Sequence, residues 1–396
     1  MQLNARLDVI GDYPFDRLRA LLGDIAPPAD LPPIPLSLGE PQHSPPAFLA
    51  ETVAKQAAEW AKYPPMRGTE AARDTIAGWL TRRYSLPDGM VEGKTMVIPV
   101  SGTREALFMI ALAAVPQHKD GKKPIVLMPN PFYQVYLGAA VMAGAEPILV
   151  SAGKENGFLP DFSALPEEIL SRTALAYYCS PANPQGAIAP METMQSLVGL
   201  ARDYDFLLVS DECYSELYFG KPPTGAAEAC AALDGSFRNV AVMNSLSKRS
   251  SAPGLRSGFV AGDPDLIRRF ARLRDYGGAP PPLPLLAAAS ALWSDEEHVI
   301  ATRALYAEKY EIAASILSKR SGYYKPEGGF YLWLEVGNGE EAAMRLWRDA
   351  GVRVIPGEYL AREVGGTHPG AGYIRLALVH DNDTTADALN RLERVL

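Results

Sequence analysis

The segment with the clearest chemical potential surrounds one lysine. Lys248 lies in Asn244-Ser245-Leu246-Ser247-Lys248-Arg249, between small hydroxyl residues and after an apolar run. A lysine forms a Schiff base readily when its pKa is lowered by removal from water or by nearby positive charge. Arg249 and Arg256 are close enough in sequence to supply that charge. An ordinary surface lysine would fit the same pattern, so Lys248 needs support from other segments.

Three further segments carry polar residues next to apolar runs. Asp211, in Ser210-Asp211-Glu212-Cys213-Tyr214, ends such a run, where a buried carboxylate is costly unless it is paired. The segment 180–186 (SPANPQG) has the residue types of a turn. Ser101-Gly102-Thr103-Arg104 opens a predicted helix, whose first backbone N–H groups suit a phosphate. Each alone is a common cap, turn or helix start, but together they predict a catalytic site.

The composition narrows the class of protein. The 396 residues carry a net charge of −8, with 47% hydrophobic and 21% charged residues, which favours a soluble globular protein of two domains. The acidic balance argues against a nucleic-acid partner. Cys179, Cys213 and Cys230 lack metal spacing, so we expect reduced thiols and no metal site. Neither a signal peptide nor an apolar stretch of the roughly 20 residues that span a bilayer is visible, so we expect a cytoplasmic protein without a membrane partner.

Short apolar runs alternate with helical patterns from about residue 70 onwards. This alternation predicts an α/β fold with a mainly parallel sheet that is buried on both faces. Ligands of such sheets bind at the carboxyl ends of the strands, where the polar segments lie. The predicted strands are 95–100, 125–128, 147–150, 174–179, 207–210, 240–243 and 258–261.

The composition and the order of predicted elements along the chain indicate three parts. Residues 1–46 are rich in proline and form an N-terminal arm, which we expect to pack with the small domain and with a dimer partner. Residues 47–284 form the large domain. Residues 285–396 form a smaller α+β domain, with a long helix at 295–317 and strands at 329–335, 352–355 and 373–378. A cleft between two domains is a common place for a small-molecule site.

The polar segments, in this order and spacing, resemble those of the fold-type-I enzymes of the class I/II aminotransferase family, which use pyridoxal 5′-phosphate (PLP). The similarity extends from about Leu36 to Arg375. Its most specific part is Ser245-x-Ser247-Lys248 followed by Pro253-Gly254-x-Arg256-x-Gly258. The resemblance implies a large PLP-binding domain with a mainly parallel seven-stranded sheet between helices, and a smaller α+β C-terminal domain.

The resemblance also implies roles for single residues around PLP. Lys248 would hold the cofactor as a Schiff base and, once released, move the proton at the reacting carbon. Asp211 would keep the ring nitrogen protonated, because an adjacent carboxylate favours the cation. Asn183 and Tyr214 would bind the phenolic oxygen, and Tyr133 would stack on the ring. The phosphate would be bound by Gly102, Thr103, Arg104, Ser245, Ser247 and Arg256.

Substrate and dimer contacts follow from the same resemblance. Arg375 would bind the α-carboxylate of the substrate from the small domain, together with Asn183 and the backbone of Gly39. Tyr63 matches a tyrosine that reaches the neighbouring subunit's phosphate, which implies a homodimer with shared active sites. Gln185 stands where the family usually has threonine, so we expect the turn after Asn183 to differ.

Finer similarity points to one branch of the family. Residues 13–18, 130–136, 210–218 and 245–250 resemble N-succinyldiaminopimelate aminotransferases. That resemblance implies amino-group exchange between glutamate/2-oxoglutarate and N-succinyl-LL-2,6-diaminopimelate, in lysine biosynthesis. The extra carboxylates would need cations, for which Arg67 and Arg104 are candidates, although both also fit solvated surface arginines.

Other functions share the same cofactor residues. Another class I aminotransferase, acting on aspartate, alanine or aromatic substrates, or a PLP-dependent C–S lyase would carry the same site. A non-catalytic, aminotransferase-like sensor domain of a transcription regulator would need a DNA-binding unit ahead of it. The arm before Leu36 is too short and too rich in proline for a helix-turn-helix, which disfavours the sensor.

Overall fold

The computed structural model describes residue 1 and residues 3–396. The strands in this part of the chain are β1 (Ile34–Pro35), β2 (Val97–Val100), β3 (Ile125–Asn130), β4 (Glu146–Ser151), β5 (Thr173–Cys179), β6 (Leu207–Asp211), β7 (Val240–Ser245), β8 (Gly258–Gly262), β9 (Tyr331–Glu335), β10 (Val352–Arg353), β11 (Ile355–Pro356) and β12 (Tyr373–Ala377).

The helices divide between the two ends of the chain. Those before residue 280 are α1 (Pro14–Leu22), α2 (Phe48–Lys55), α3 (Glu70–Arg83), α4 (Gly93–Met96), α5 (Thr103–Ala114), α6 (Gln134–Met142), α7 (Glu167–Arg172), α8 (Met191–Asp203), α9 (Ala226–Leu233), α10 (Leu246–Arg249) and α11 (Pro264–Gly277). Those after it are α12 (Leu283–Ser294), α13 (Glu297–Leu317), α14 (Gly339–Ala350) and α15 (Asn382–Val395). Short 3-10 turns lie at Ala5–Val9, Ala57–Ala61, Lys154–Asn156, Pro253–Leu255 and Gly357–Tyr359.

The large sheet has seven strands in the order β2-β8-β7-β6-β5-β3-β4. Strand β8 runs antiparallel to both of its neighbours, and the other pairs are parallel. The predicted mainly parallel seven-stranded sheet is therefore confirmed. The carboxyl ends of β5, β6 and β7 lie side by side at one edge, because parallel neighbours end together.

Both faces of this sheet are buried, as the apolar character of its strands predicts. Along β5, Ala176 and Tyr178 pack in the core on one face, while Leu175 and Tyr177 pack in the core on the other. This alternation follows from the period of two along a strand. Helices on both faces exclude water, so polar side chains face a solvent-accessible site only at the ends of the strands.

The C-terminal unit is built on the antiparallel sheet β11-β12-β9. The arm joins this unit through β1, which pairs in parallel with β10, and Ile34 and Leu36 are buried in its core. The predicted single strand 352–355 is wrong in one respect. Its first half pairs with the arm and its second half with β12, so the chain divides into β10 and β11 at Val354.

One other predicted boundary shifts, and the chain before α3 changes helix type. Residues 48–55 form the α-helix α2, and the chain continues as the 3-10 turn Ala57–Ala61. The predicted strand 95–100 begins at Val97, because residues 93–96 form a helical turn in which the Thr95 hydroxyl donates to Glu92 at 2.5 Å.

The domain limits remain a proposal. Helix α12 buries Leu292 and Trp293 in the core of the large sheet, against Trp79 and Phe259. On this packing we would draw the boundary after Ser294 rather than at residue 284. In the described part of the chain, no helix is both long enough and apolar enough to cross a membrane.

Candidate active site

A cavity of about 700 Å³ opens at the carboxyl ends of β5, β6 and β7. Its walls come from the large sheet, the arm and the C-terminal unit, which is the arrangement expected of a cleft between domains. The predicted site residues that line it are Gly39, Thr103, Arg104, Tyr133, Asn183, Asp211, Tyr214, Ser245, Ser247, Lys248, Arg256 and Arg375.

Lys248 lies on α10, in the turn that follows β7. Its Nζ donates to the carbonyl of Gly39 at 2.5 Å and lies 4.9 Å from the centre of the Phe330 ring. Burial lowers the pKa of Lys248, and the charge of Arg375 adds to the lowering. A lowered pKa leaves more of the amine neutral, which is the form that attacks a carbonyl carbon.

The cause of the lowered pKa of Lys248 differs from the one that the sequence suggests. Arg249 was expected to supply positive charge beside the lysine, but its buried guanidinium donates to Glu296 at 2.6 Å and to the carbonyl of Leu292 at 2.6 Å. It also packs against the rings of Trp79 and Trp293. Arg249 therefore anchors the lysine-bearing turn to α12, and burial is the main cause of the lowered pKa.

Asp211 ends β6 and is only 5% exposed. Its carboxylate accepts hydrogen bonds from the Tyr136 hydroxyl at 2.6 Å and from the Cys213 amide at 3.2 Å. Burial raises the pKa of Asp211, and the hydrogen bonds from Cys213 and Tyr136 oppose that rise. No salt bridge reaches Asp211 within the residues that the structure describes. A buried carboxylate that faces a cavity without a cation is suited to a cationic group on a ligand.

A second polar group surrounds the start of α5. Gly102 caps this helix with φ of 90°, and a Cβ there would lie 2.2 Å from Nη2 of Arg256. The guanidinium of Arg256 donates to the carbonyls of Pro253 and Ser101 at 2.9 and 3.3 Å, and no carboxylate pairs with it among the described residues. Helix N-terminus and guanidinium together form a concave, positively charged surface that suits a phosphate.

Two serines complete this surface. The Ser245 hydroxyl accepts from the Ser247 amide at 3.1 Å and lies 2.9 Å from the Ser247 hydroxyl. Thr103, the first residue of α5, has its hydroxyl 3.1 Å from the sulfur of Cys213. Gly102 itself lies behind the cavity wall, and its contribution is the space that it leaves for Arg256.

Arg375 lies on β12 and is 6% exposed. Its Nη2 donates to the carbonyl of Ser37 at 2.9 Å, its Nη1 lies 3.5 Å from the side-chain oxygen of Asn183, and its Cζ lies 4.3 Å from the centre of the Tyr331 ring. Its Nε has no hydrogen-bond partner in the described part of the chain. This buried cation has no carboxylate partner there, so a carboxylate of a ligand would complete it.

Tyr133 and Arg104 lie at the mouth of the cavity. Arg104 Nε donates to the Tyr133 hydroxyl at 2.8 Å, and its Nη2 lies 3.5 Å from the hydroxyl of Tyr13. Tyr133 meets Tyr136 edge to face, with ring centres 5.7 Å apart. Arg104 is therefore held at the entrance by tyrosines and retains its charge without a carboxylate partner among the described residues.

Two predicted residues lie outside this cavity. The Tyr63 side chain is fully exposed at 101%, and its predicted contact with a neighbouring subunit stays a prediction. Arg67 does not line the cavity, and its Nη2 lies 3.3 Å from the carbonyl of Lys94. Gln185, the departure from the family pattern, is buried and donates to the carbonyl of Ala152 at 3.1 Å, behind the Asn183 turn.

Sequence reasoning missed two tyrosines of this site. Tyr136 lies in the segment 130–136 but carried no predicted role, yet its hydroxyl bonds Asp211 and its ring meets that of Tyr133, the residue that precedes α6. Tyr331 lies against Arg375, and its hydroxyl accepts from the Tyr214 hydroxyl at 3.2 Å. Nothing in the apolar run around Tyr331 distinguishes it from a core residue.

Comparison with known proteins agrees with this geometry. Residues 32–392 match the family described as Aminotransferase class I and II. The LL-diaminopimelate aminotransferase of Aquifex aeolicus (strain VF5) is 30% identical over an alignment of 409 positions, gaps included, which covers 100% of this chain and 99% of that protein. The 4-dedimethylamino-4-oxo-anhydrotetracycline transaminase OxyQ of Streptomyces rimosus is 30% identical over 359 residues, which is 90% of this chain and 92% of that protein.

Solved structures give the same result. An aminotransferase from Neisseria meningitidis Z2491 is 38% identical and superposes with a TM-score of 0.93, covering 98% of this chain and 99% of the other. Aminotransferase AspB from Helicobacter pylori 26695 is 36% identical with a TM-score of 0.88, covering 100% of this chain and 99% of the other.

The residues present fit the cofactor of this family. The buried carboxylate of Asp211 lacks a cation, the space at Gly102 admits Arg256 to a helix N-terminus, and Lys248 is a buried amine facing the same cavity. These features match the ring nitrogen, the phosphate and the aldehyde of PLP. The chain belongs to the class I and II aminotransferase family and is a PLP-dependent aminotransferase.

Proposed function

We propose that this aminotransferase exchanges an amino group between glutamate/2-oxoglutarate and N-succinyl-LL-2,6-diaminopimelate, a step of lysine biosynthesis. The observation that carries the proposal is the pair of arginines, Arg375 inside the cavity and Arg104 at its mouth, neither paired with a carboxylate in the described residues. A substrate with carboxylates at both ends would satisfy both guanidinium groups, whereas alanine would satisfy one.

The cofactor, when bound, supplies an electron sink for the bond that breaks at the substrate's α-carbon. We propose that Arg375 binds and orients the substrate's α-carboxylate, with Asn183 and the backbone of Gly39 beside it. Lys248 moves the proton to and from the α-carbon, and its lowered pKa favours the neutral amine that accepts this proton. Asp211, positioned by Tyr136, holds the proton of the ring nitrogen.

The remaining roles concern binding. We propose that Tyr214 and Asn183 donate to the phenolic oxygen and that Tyr133 packs against the ring. The phosphate is bound by the start of α5 at Thr103 and Arg104, by Ser245 and Ser247, and by Arg256. Residues of the sheet edge and of the arm line the cavity around these groups.

A second candidate substrate is LL-diaminopimelate itself, because several relatives are named as its aminotransferases. The two substrates differ at the distal amino group, which is charged in one and acylated in the other. Glu40 also lines the cavity, and its carboxylate would favour a charged distal amine. The observation on Arg104 does not separate the two, so the distal group is the point to test.

We further propose a cytoplasmic homodimer with shared active sites. The large, exposed side chains of Trp60 and Tyr63, at 54% and 101%, lie close together in sequence before α3. Burial of such residues against a second copy would remove apolar surface from water. Sedimentation of the wild-type protein and of a Trp60→Asp variant would test this, since a monomeric wild type would contradict the proposal.

The substrate experiment compares specificity constants. The PLP-loaded enzyme is given 2-oxoglutarate with N-succinyl-LL-2,6-diaminopimelate, LL-diaminopimelate, aspartate, alanine or an aromatic amino acid, and glutamate formation is followed. The proposal expects the highest kcat/KM with the N-succinyl compound. A higher value with LL-diaminopimelate would favour the second candidate, and a higher value with aspartate, alanine or an aromatic amino acid would overturn both. Release of pyruvate and ammonia from cystathionine would indicate a C–S lyase.

A further inference from the structure

Tyr331 lies between the two halves of the cavity. It is the first residue of β9, is 5% exposed, and was not among the residues predicted from the motifs. One face of its ring carries the guanidinium of Arg375, whose Cζ lies 4.3 Å from the ring centre. Its hydroxyl accepts from the hydroxyl of Tyr214 at 3.2 Å. The same side chain thus contacts both the carboxylate-binding arginine and the tyrosine assigned to the cofactor's phenolic oxygen.

The surrounding backbone leaves room for that hydroxyl. A Cβ on Gly39 would lie 1.8 Å from the Tyr331 oxygen, so only glycine fits at this position of the arm. The carbonyl of Gly39 in turn accepts from Lys248. The Tyr331 hydroxyl is therefore packed at the point where the arm, the lysine and Tyr214 meet.

We propose that Tyr331 is a positioning residue that holds Arg375 through its ring and Tyr214 through its hydroxyl. The proposal rests on the functions proposed above for Arg375 and Tyr214. A cation over an aromatic face is stabilised by the negative electrostatic potential of that face, and more so where water is excluded. The ring therefore fixes the plane in which Arg375 presents its fork to a carboxylate.

The hydroxyl acts differently, because a tyrosine hydroxyl has one proton to donate. When Tyr214 donates its proton to a phenolic oxygen of the ligand, the hydroxyl of Tyr331 is placed to donate to the oxygen of Tyr214. Hydrogen bonds in such a chain polarise one another, so the second strengthens the first. Loss of the Tyr331 hydroxyl would weaken donation by Tyr214 without moving the ring under Arg375.

Two substitutions separate these contributions. Tyr331→Phe keeps the ring and removes the hydroxyl, whereas Tyr331→Leu removes both. Tyr306→Phe is the matched control, because Tyr306 is buried in the same aromatic cluster, its hydroxyl has no partner in the described part of the chain, and it does not line the cavity. Thermal melting of each variant checks that it folds.

The first readout is the pH midpoint of the visible absorption of the PLP-loaded protein. A weaker donor leaves more negative charge on the phenolic oxygen. The proton on the nitrogen that joins Lys248 to the cofactor should then be retained to higher pH. Tyr331→Phe should raise the midpoint by roughly half a pH unit, because only the second hydrogen bond of the chain is lost. The shift should have the same direction as that of Tyr214→Phe and be smaller, while Tyr306→Phe should leave the midpoint unchanged.

The second readout is the KM for glutamate. Tyr331→Phe should change it less than about 2-fold, and Tyr331→Leu should raise it about 3- to 30-fold, the effect expected from loss of a cation–π contact. If Tyr331→Leu does not fold, the midpoint of Tyr331→Phe decides alone. No shift in Tyr331→Phe beside a clear shift in Tyr214→Phe would overturn the inference and leave the proposed function standing. No shift in Tyr214→Phe would remove its proposed role, and the inference with it.

Discussion

The hydroxyl of Tyr136 donates a 2.6 Å hydrogen bond to Oδ2 of Asp211. Tyr136 is itself fixed by stacking on Tyr177, with ring centres 4.5 Å apart and planes 9° apart. The bond favours the ionised carboxylate, because it opposes the rise in the pKa of Asp211 that burial causes. A tyrosine that the motifs did not identify thus supports the charge on which the proposed role of Asp211 depends.

Tyr136→Phe should therefore lower activity through Asp211. Loss of a hydrogen bond to a buried charge costs about 1.5–3 kcal/mol, so we expect kcat to fall about 10- to 100-fold. Tyr177→Phe is the control. Tyr177 belongs to the same stack, but its hydroxyl donates to the carbonyl of Leu107 and not to Asp211. Steady-state kinetics of both variants check this, and equal losses in the two would indicate that the stack matters rather than the bond to Asp211.

Gly102→Ala should weaken PLP binding specifically at the phosphate. The new Cβ would lie 2.2 Å from Nη2 of Arg256, and φ of 90° is strained for alanine, so the guanidinium must move. Loss of its charge-assisted bonds should raise the Kd for PLP about 10- to 100-fold. Gly199→Ala on α8, where a Cβ meets nothing within 4 Å, should not change it.

The same pair of variants should be tested with pyridoxal, which lacks the phosphate. Fluorescence or absorption titration of Gly102→Ala with pyridoxal should give nearly the wild-type Kd. An equal loss of affinity for both ligands would show that the substitution disturbs the ring site, contrary to the assignment.

Arg104→Ala should affect substrates according to their charge. Its guanidinium lines the mouth of the cavity, so the KM for N-succinyl-LL-2,6-diaminopimelate should rise about 10-fold and the KM for alanine should change little, because a charge-assisted bond is lost only for the first. Arg268→Ala, an exposed arginine paired with Asp265, is the control. The sequence also suggests Arg67, but Arg67 does not line the cavity, so we expect the effect at Arg104.

One result would contradict this expectation for Arg104. If KM rises equally for N-succinyl-LL-2,6-diaminopimelate and for alanine, Arg104 supports the general shape of the mouth, and the distal carboxylates are bound elsewhere.

The lowered pKa of Lys248 predicts a particular pH dependence of PLP incorporation into the cofactor-free enzyme. Only the neutral amine attacks the aldehyde, and burial lowers the pKa of Lys248, so its reactivity should level off at lower pH than that of an ordinary lysine amine near pKa ~10.4. Incorporation rates from about pH 7 to 11 are divided by the rates for Nα-acetyl-lysine, which removes the titration of PLP itself. A ratio that does not change with pH would contradict the prediction.

The sequence predicts the large sheet well because its strands are buried on both faces and therefore appear as continuous apolar runs. Predicted strands such as 174–179 and 207–210 differ from β5 and β6 by one residue at one end. The split at Val354 could not be predicted, because it depends on which partners the two halves find, the arm for β10 and β12 for β11.

The residues of the site also divide into those that the sequence predicts and those that depend on the fold. Residues in chemically distinctive segments, such as Lys248, Asp211 and Arg256, do face one cavity as expected. Side-chain direction was not predictable for Arg249, which turns to Glu296, because adjacent residues on a short helix point to different sides. The role of Tyr331 could not be predicted from the sequence, because it depends on how the C-terminal sheet places this residue beside Tyr214.

One measurement tests the central claim, that Lys248 binds PLP and mediates amino transfer in this cavity. The visible absorption of the PLP-loaded protein is followed while glutamate and then 2-oxoglutarate are added, for the wild type and for Lys248→Ala. We expect glutamate to convert the wild-type cofactor to its pyridoxamine form and 2-oxoglutarate to reverse the change, while Lys248→Ala shows neither the lysine-bound spectrum nor turnover. A wild-type spectrum unchanged by every amino donor, or a Lys248→Ala variant that turns over normally, would contradict the claim.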